Sequence, residues 1–396
     1  MDRRHAFVRR QQRRCIARRA QAMHSMEFFN VLTGSELLEL TEAMAPEHRE
    51  RLYPPTVTLS MFLRQALDPD PSCQRAVNAW AAARAQEGLP VPSVRTGAYC
   101  RARARLPGAM VQALTRESGR VLSAQAHAEW GWRGRPVKLL DGTGISMPDT
   151  SANQAVYPQP ASQAEGVGFP QARLCAVLCL STGAVLEAAV GPHRGQGESE
   201  LDRSRTLLGT FSPGDLLLAD ALYADYFFVA ALIGAGVDVL VEQHGSRHTD
   251  FRRGERLGTR DHLVDWQKPR ARPGWMSPEH YRAAPERLWL REVQVGGRVL
   301  VTTLIDPADV HKHELDALYH RRWNIELDLA CIKTTLGMDV LRGRTPEMVE
   351  KELWVHLLAY NLIRLLMAQA AAHGGCSPRQ LSFKHTVQLW AGWRSS

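Results

Sequence analysis

No apolar run in this 396-residue chain reaches the ~18 residues that cross a membrane. No secretory leader, basic then apolar, is visible. Seven cysteines, at positions 15, 73, 100, 175, 179, 331 and 376, are odd in number and form no C-x-x-C pair. That reads as small buried thiols in a reducing compartment, not as a disulfide framework or a zinc site. Most of the chain also lacks a basic surplus. Residues 1–22 hold eight arginines against Asp2, so this arm supplies +7 of the net +8. A nucleic-acid partner must therefore be argued from local patches. Residues 94–135 carry eight arginines against Glu117 and Glu129, and residues 245–298 carry twelve Lys/Arg against seven acids. Such patches are the footprint of phosphate contacts, although a solvated face has the same composition.

The length suggests two or three domains, and 44% hydrophobic residues can bury a substantial core. Residues 24–130 have helical patterning. Helices are expected at Ser35–Met44 and Leu59–Leu67, with Pro54–Pro55 breaking between them. Ser72 is placed as the N-cap of a helix to about Gln86. In Thr96–Leu106, Arg101 and Arg105 lie one turn apart, which suits contact with a phosphate backbone. A further helix follows Pro107.

The pattern changes after Gly134. Val137–Leu140 reads as a strand ending in Asp141 at the turn Gly142–Gly144. A hairpin turns at Ser181–Gly183, and a helix covers Ser199–Leu208. The strand Asp215–Ala219 again ends in an aspartate, Asp220. Helix Ala224–Gly234 and strand Val237–Val241 complete the order of a ribonuclease H-like α/β core. Residues 242–305, too long for an idle loop, are expected to form a small β-rich subdomain. They contain Trp266, Trp275 and Trp289.

Helical patterning resumes near Ala308 and carries the stretch YHRRWNIELDLACIK, Tyr319–Lys333. On one continuous helix, with Tyr319 at zero, Arg322, Glu326 and Lys333 fall near about 300°, 340° and 320°. Leu318, Ile325, Leu329, Ile332 and Leu336 form the core stripe. His320, Arg321, Asn324 and Asp328 are left for water.

The spacing Y-(2)-R-(3)-E-(6)-K resembles the signature of DDE transposases of the Insertion Sequence 4 family. LLDGTGISMPDT around Asp141, GDLLLADALYADYFF around Asp220 and AYCRARARLP at Ala98–Pro107 are similar to further family regions. Together they cover most of residues 55–365. The resemblance implies a catalytic set of Asp141, Asp220 and Glu326, which would also hold two Mg²⁺ or Mn²⁺ ions. It implies that Tyr319, Arg322 and Lys333 hold phosphates of terminal inverted repeats. It further implies a homodimer on double-stranded DNA, repeat ends and target alike, in the nucleoid-associated cytoplasm of a bacterium, with no membrane. Family members that form DNA hairpins carry a tryptophan in the insertion strand just before this signature. Arg298–Leu304 has none, and Trp289 is the nearest substitute. By alternation Trp289 would share a strand face with Arg291, placed to hold a neighbouring phosphate; packing against the core is the other reading of Trp289.

The expected organisation is a basic arm (1–22), an N-terminal all-α DNA-binding domain (23–133), the ribonuclease H-like catalytic domain (134–241 and 306–370), the β-rich insertion (242–305) and a C-terminal tail (371–396). The expected function is metal-dependent DNA cleavage and strand transfer. A nuclease on the same core and an inactive, element-derived DNA-binding repressor are the alternatives.

Overall fold

The computed structural model describes residues 35–45 and 52–393, apart from 165, 194 and 196–198. The basic arm at 1–22 lies outside the described residues. Among the described residues five helices come first: α1 Ser35–Met44, α2 Pro55–Leu67, α3 Cys73–Gln86, α4 Gly97–Arg105 and α5 Gly108–Ala124. Pro54 and Pro55 start α2, where a missing N–H costs nothing. Ser72 caps α3, its hydroxyl accepting from the Arg75 N–H. α2 is buried on two sides. Leu59, Phe62 and Leu63 face the main core, while Val57 and Met61 meet Tyr53, Trp80 and Tyr99. α5 runs directly against the sheet. A Cβ at Gly119 would collide with the Val185 backbone, so glycine sets how closely helix and strand approach.

The sheet has nine strands in the order β3-β2-β1-β4-β5-β9-β8-β7-β6. β1 Val137–Ser146, β2 Gln171–Cys179 and β3 Val185–Pro192 form an antiparallel meander. β4 Leu216–Ala219 and β5 Asp238–Glu242 add in parallel to β1. The short helices α6 Ser151–Val156, α7 Glu200–Arg205 and α8 Tyr226–Gly234 occupy the connections. The expected element order from strand to strand is present. One boundary differs: Asp141 does not end a strand. β1 continues to Ser146 because β2 pairs with it from Lys138 through Ser146. The parallel partner is shorter and pairs only through Leu139, so Asp141 sits just past the end of the parallel pairing.

Residues 242–305 contain β6 Glu255–Gly258, β7 Asp261–Gln267, α9 Pro278–Ala283, β8 Arg287–Val295 and β9 Arg298–Thr302. β9 pairs antiparallel with β5, so these strands prolong the one sheet. Two buried acids organise them. Glu292 accepts from Trp266 Nε1 at 2.7 Å and from the Thr249 hydroxyl at 2.7 Å, and it faces His262. Asp261 accepts from Nε and Nη2 of Arg291.

The chain then forms α10 Lys312–His320 and α11 Trp323–Ala330, a π-helical turn at Cys331–Thr335, α12 Pro346–Gly374 and α13 Phe383–Trp393. Strand alternation separates two faces. Leu139, Leu178, Leu218 and Leu240 meet Ile325 and Leu329 of α11 and the long α12. Leu140, Val177, Leu217 and Val241 meet α8. α12 is long and apolar enough to cross a membrane by composition, but 72% of its most apolar window is buried inside the protein. The expected C-terminal tail is structured: Phe383, Val387 and Trp390 of α13 are buried, and Phe383 lies on the Tyr360 ring.

Candidate active site

Register places the acids. Leu139 is paired with Leu218, and Asp141 and Asp220 each lie two residues further along. Val241 is paired with Ala219, and the next residues are Glu242 and Asp220. Asp220 keeps extended backbone, at φ −80 and ψ −173. Alternation therefore directs Asp141, Asp220 and Glu242 to the face that carries α11. Each aspartate is held locally. Asp141 Oδ1 accepts from the Gly142 N–H at 2.8 Å, and Asp220 Oδ1 accepts from the Leu222 N–H at 2.9 Å.

Ile325 and Leu329 of α11, with Ile332 and Leu336 of the turn after it, are buried as the stripe predicted. Glu326 is half-buried on the helix flank, where its carboxylate takes the Arg322 guanidinium at 2.7 Å. The helix is not continuous. α10 ends at His320, and the π-helical turn widens the spiral after Ala330. Lys333 consequently points to β1, where its ammonium donates to the Thr143 hydroxyl at 3.2 Å. Thr143 shares the face of Asp141. Tyr319 is 1% exposed, and its hydroxyl donates to Glu242 Oε2 at 3.4 Å. The Arg298 and Arg322 guanidiniums lie 5.7 and 5.9 Å from its ring. Burial pushes the Tyr319 phenol above its usual range.

The structure thus brings Asp141, Asp220, Glu326, Arg322, Lys333 and Tyr319 to one face. It does not bring Arg101, Arg105 or Trp289 there. Arg101 and Arg105 are exposed on α4, whereas Arg103 between them lies over the Phe62 ring at 3.9 Å. Trp289 is 49% exposed on β8, so half of its surface is left open to solvent. Arg291 is not available beside it, being fully buried on Asp261. The supposed wet side of the signature also changes. Arg321 donates to the Trp130 and Gly131 carbonyls, and Asp328 is buried. His320 is exposed as expected, and the other exposed positions include Trp323, at 57%, and Leu327.

Sequence reasoning passed over Glu242, Thr143 and Trp323. Two of them had a signal: Glu242 follows its strand as Asp220 does, and Thr143 is two residues from Asp141.

Among the described residues, no three His, Cys, Asp or Glu side chains lie close enough to enclose one ion. The donors at Asp141 and Asp220 are of the hard oxygen type that Mg²⁺ and Mn²⁺ take. Burial pushes the Asp141 carboxyl up to about 7; the Gly142 N–H and Arg322 oppose this, and the charges of Asp220 and Glu200 add to it. Burial and the neighbouring acids raise the proton affinity of Asp141, and the same surroundings make the aspartate pair one that a cation fits. The third acid, Glu326, is held by Arg322 instead.

The raised carboxyl has a sign-defined consequence. An unfolded aspartate titrates near about 3.9, so the folded state binds the extra proton above that pH. The contribution to stability is fully present below about pH 4 and is lost as pH rises through about 7. In chelator, the wild-type melting temperature should fall across this window more steeply than that of Asp141→Asn. Parallel curves would refute the shift.

Residues 132–362 match the family model described as "Transposase DDE domain". That span is more than half of the chain. The chain belongs to the DDE transposases. Within them it is 30% identical over 308 residues to the InsG transposase of insertion sequence element IS4 from Escherichia coli (strain K12), across 75% of this chain and 67% of InsG. This makes it an Insertion Sequence 4-family DDE transposase, as the Tyr319–Lys333 signature implied. Among solved structures, the chain is similar to a piggyBac transposase synaptic complex with hairpin DNA, at a TM-score of 0.44 and 10% identity, over 86% of this chain and 80% of that one.

Proposed function

We propose that this transposase cleaves the ends of its own element and joins them to target DNA, with Asp141, Asp220 and Glu326 as the catalytic carboxylates. One observation carries the reading: Asp141 and Asp220 project from one sheet face and Glu326 lies on the helix packed against that face, flanked by Arg322 and Lys333. The parallel β1-β4-β5 centre with its antiparallel edge is read as a ribonuclease H-like core.

Asp141 and Asp220 would hold the first of two Mg²⁺ or Mn²⁺ ions, and Glu326 would complete the set; two such ions activate the attacking oxygen and stabilise the leaving one. The chain's own residues do the rest. A phosphate arriving at the site competes with Glu326 for Arg322, whose planar fork suits either partner. Taking Arg322 onto DNA frees Glu326 to turn toward the aspartates, so the site is completed when substrate is present. Lys333, held at Thr143, offers a point charge to the next phosphate. Tyr319, its hydroxyl committed to Glu242, serves as the ring that sets the Arg322 guanidinium. Exposed Arg101 and Arg105 on α4 fit backbone contacts with the repeat DNA. Trp289 stands free to stack on an unpaired base. A homodimer on paired ends completes the reading.

Incubation with duplex DNA carrying the element's terminal repeats tests it. With Mg²⁺ or Mn²⁺, a nick at the repeat end and then a joined product are expected, both lost in chelator. Tight binding without cleavage in either ion would favour an element-derived repressor.

A further inference from the structure

The sheet has a second face directly beneath the acids, and it is not plain core. In Asp141-Gly142-Thr143-Gly144, the functional side chains point one way and the glycines the other. The space under Gly142 is filled by Glu200, from the first turn of α7. A Cβ at Gly142 would lie 2.6 Å from Glu200 Oε2. Glycine is therefore required after Asp141 so that this carboxylate can press against the strand.

Glu200 is tied on both oxygens. Oε2 takes Arg173 Nη1 at 3.2 Å, from the neighbouring strand β2. Oε1 takes the Tyr223 hydroxyl at 3.1 Å. Tyr223 is fully buried and closes the short 3-10 turn Ala221–Tyr223, whose N-cap is Asp220. The Ser204 hydroxyl bonds the same Tyr223 oxygen at 3.2 Å. One carboxylate thus touches the strand bearing Asp141 from below and grips the turn bearing Asp220.

We propose that Glu200 is a positioning residue that fixes the spacing of Asp141 and Asp220 through Gly142 and Tyr223, and so sets the affinity of that pair for a divalent cation. It does not touch the cation itself, because the sheet lies between. The proposal rests on the metal-holding role given to the two aspartates above. A carboxylate that only stabilised the fold would change melting without selectively changing cation affinity. A positioning carboxylate does the reverse, since partners that orient ligands are worth about ten- to a hundredfold in metal affinity.

The test is Mn²⁺ titration of the full chain without DNA, followed by electron paramagnetic resonance of free Mn²⁺. Glu200→Gln keeps the size of the side chain and removes the charge. Tyr223→Phe removes a single hydroxyl and keeps the ring in place, so it remains informative if Glu200→Gln fails to fold. Asp141→Asn serves as the control that abolishes the pair. The expected result is an apparent Kd raised about tenfold in Tyr223→Phe and up to about a hundredfold in Glu200→Gln. Gel-shift affinity for DNA and the Tyr223→Phe melting temperature should stay at wild-type values. Wild-type Mn²⁺ affinity in folded Tyr223→Phe and Glu200→Gln, with affinity lost in Asp141→Asn, overturns the positioning role alone. Wild-type affinity in all three overturns the metal reading of the aspartates as well.

Discussion

Asp141→Asn, Asp220→Asn and Glu326→Gln should each abolish DNA cleavage while leaving DNA affinity nearly unchanged. The two functions rest on different chemistry. Phosphate affinity comes from cations, and Arg322, Lys333, Arg101 and Arg105 remain in all three variants. On the proposed function cleavage rests on these three acids, and an amide of equal size removes the charge without opening a void. Binding should even rise slightly, since each variant deletes a negative charge beside the phosphate path. Glu326→Gln adds a distinct signature. It weakens the hold on Arg322, which the structure places 2.7 Å from the carboxylate, and so should favour DNA more than either aspartate variant does. Side-by-side gel shifts and cleavage with Mg²⁺ decide the matter. Near-normal cutting by any one variant would remove that residue from the catalytic set.

What could be read in advance was what local periodicity encodes. The break before α2 follows from Pro54–Pro55 and the start of α3 from the Ser72 cap, and the apolar stripe of the 319–333 stretch is a matter of spacing alone. The two aspartates stood out because each follows an apolar run. Pairing was not legible. Nothing local says that β2 extends β1 five residues past Asp141, or that β9 docks on β5 and carries residues 242–305 into the main sheet. Ion-pair partners were equally hidden. Arg291 and Asp261 are 30 residues apart, and Arg291 was expected beside DNA until its partner filled the space. The same holds for the helix itself. A constant 100° per residue assumes one unbroken spiral, whereas the break at His320 and the wide turn after Ala330 re-aim Lys333 at Thr143. The family signature survives these irregularities because it records sequence spacing and not angle.

Asp328 shows the largest gap between expectation and structure, and it carries a large expected effect on stability. Placed two residues from Glu326, it was assigned to water. It is 1% exposed and holds two arginines at once: Arg364 of α12 and Arg379, whose Nη1 lies 2.7 Å from Oδ2. Arg364 also donates to the Tyr360 hydroxyl at 2.8 Å, and Arg379 to the Leu180 carbonyl at 2.8 Å. The acid thereby clamps the helix that bears Glu326 to the long core helix and to the turn of the β2–β3 hairpin. Asp328→Ala leaves two guanidiniums facing each other in a site that solvent barely reaches. Removing one partner of a buried pair costs about 3–5 kcal/mol, mainly through the charge left uncompensated, and here two charges are left. Replacing the charges together is far milder, because well-packed apolar groups of similar volume can match a buried ion pair. Asp328→Ala should therefore lower the melting temperature by many degrees, and adding Arg364→Met should recover part of the loss. Cleavage should follow a different rule. Neither variant restores the clamp, so both should cut poorly below their melting temperatures, with the helix that bears Glu326 no longer fixed. A double variant that regains stability and full cleavage would show that the clamp serves the fold alone. An Asp328→Ala protein that melts with the wild type would show that the two arginines have other partners to turn to.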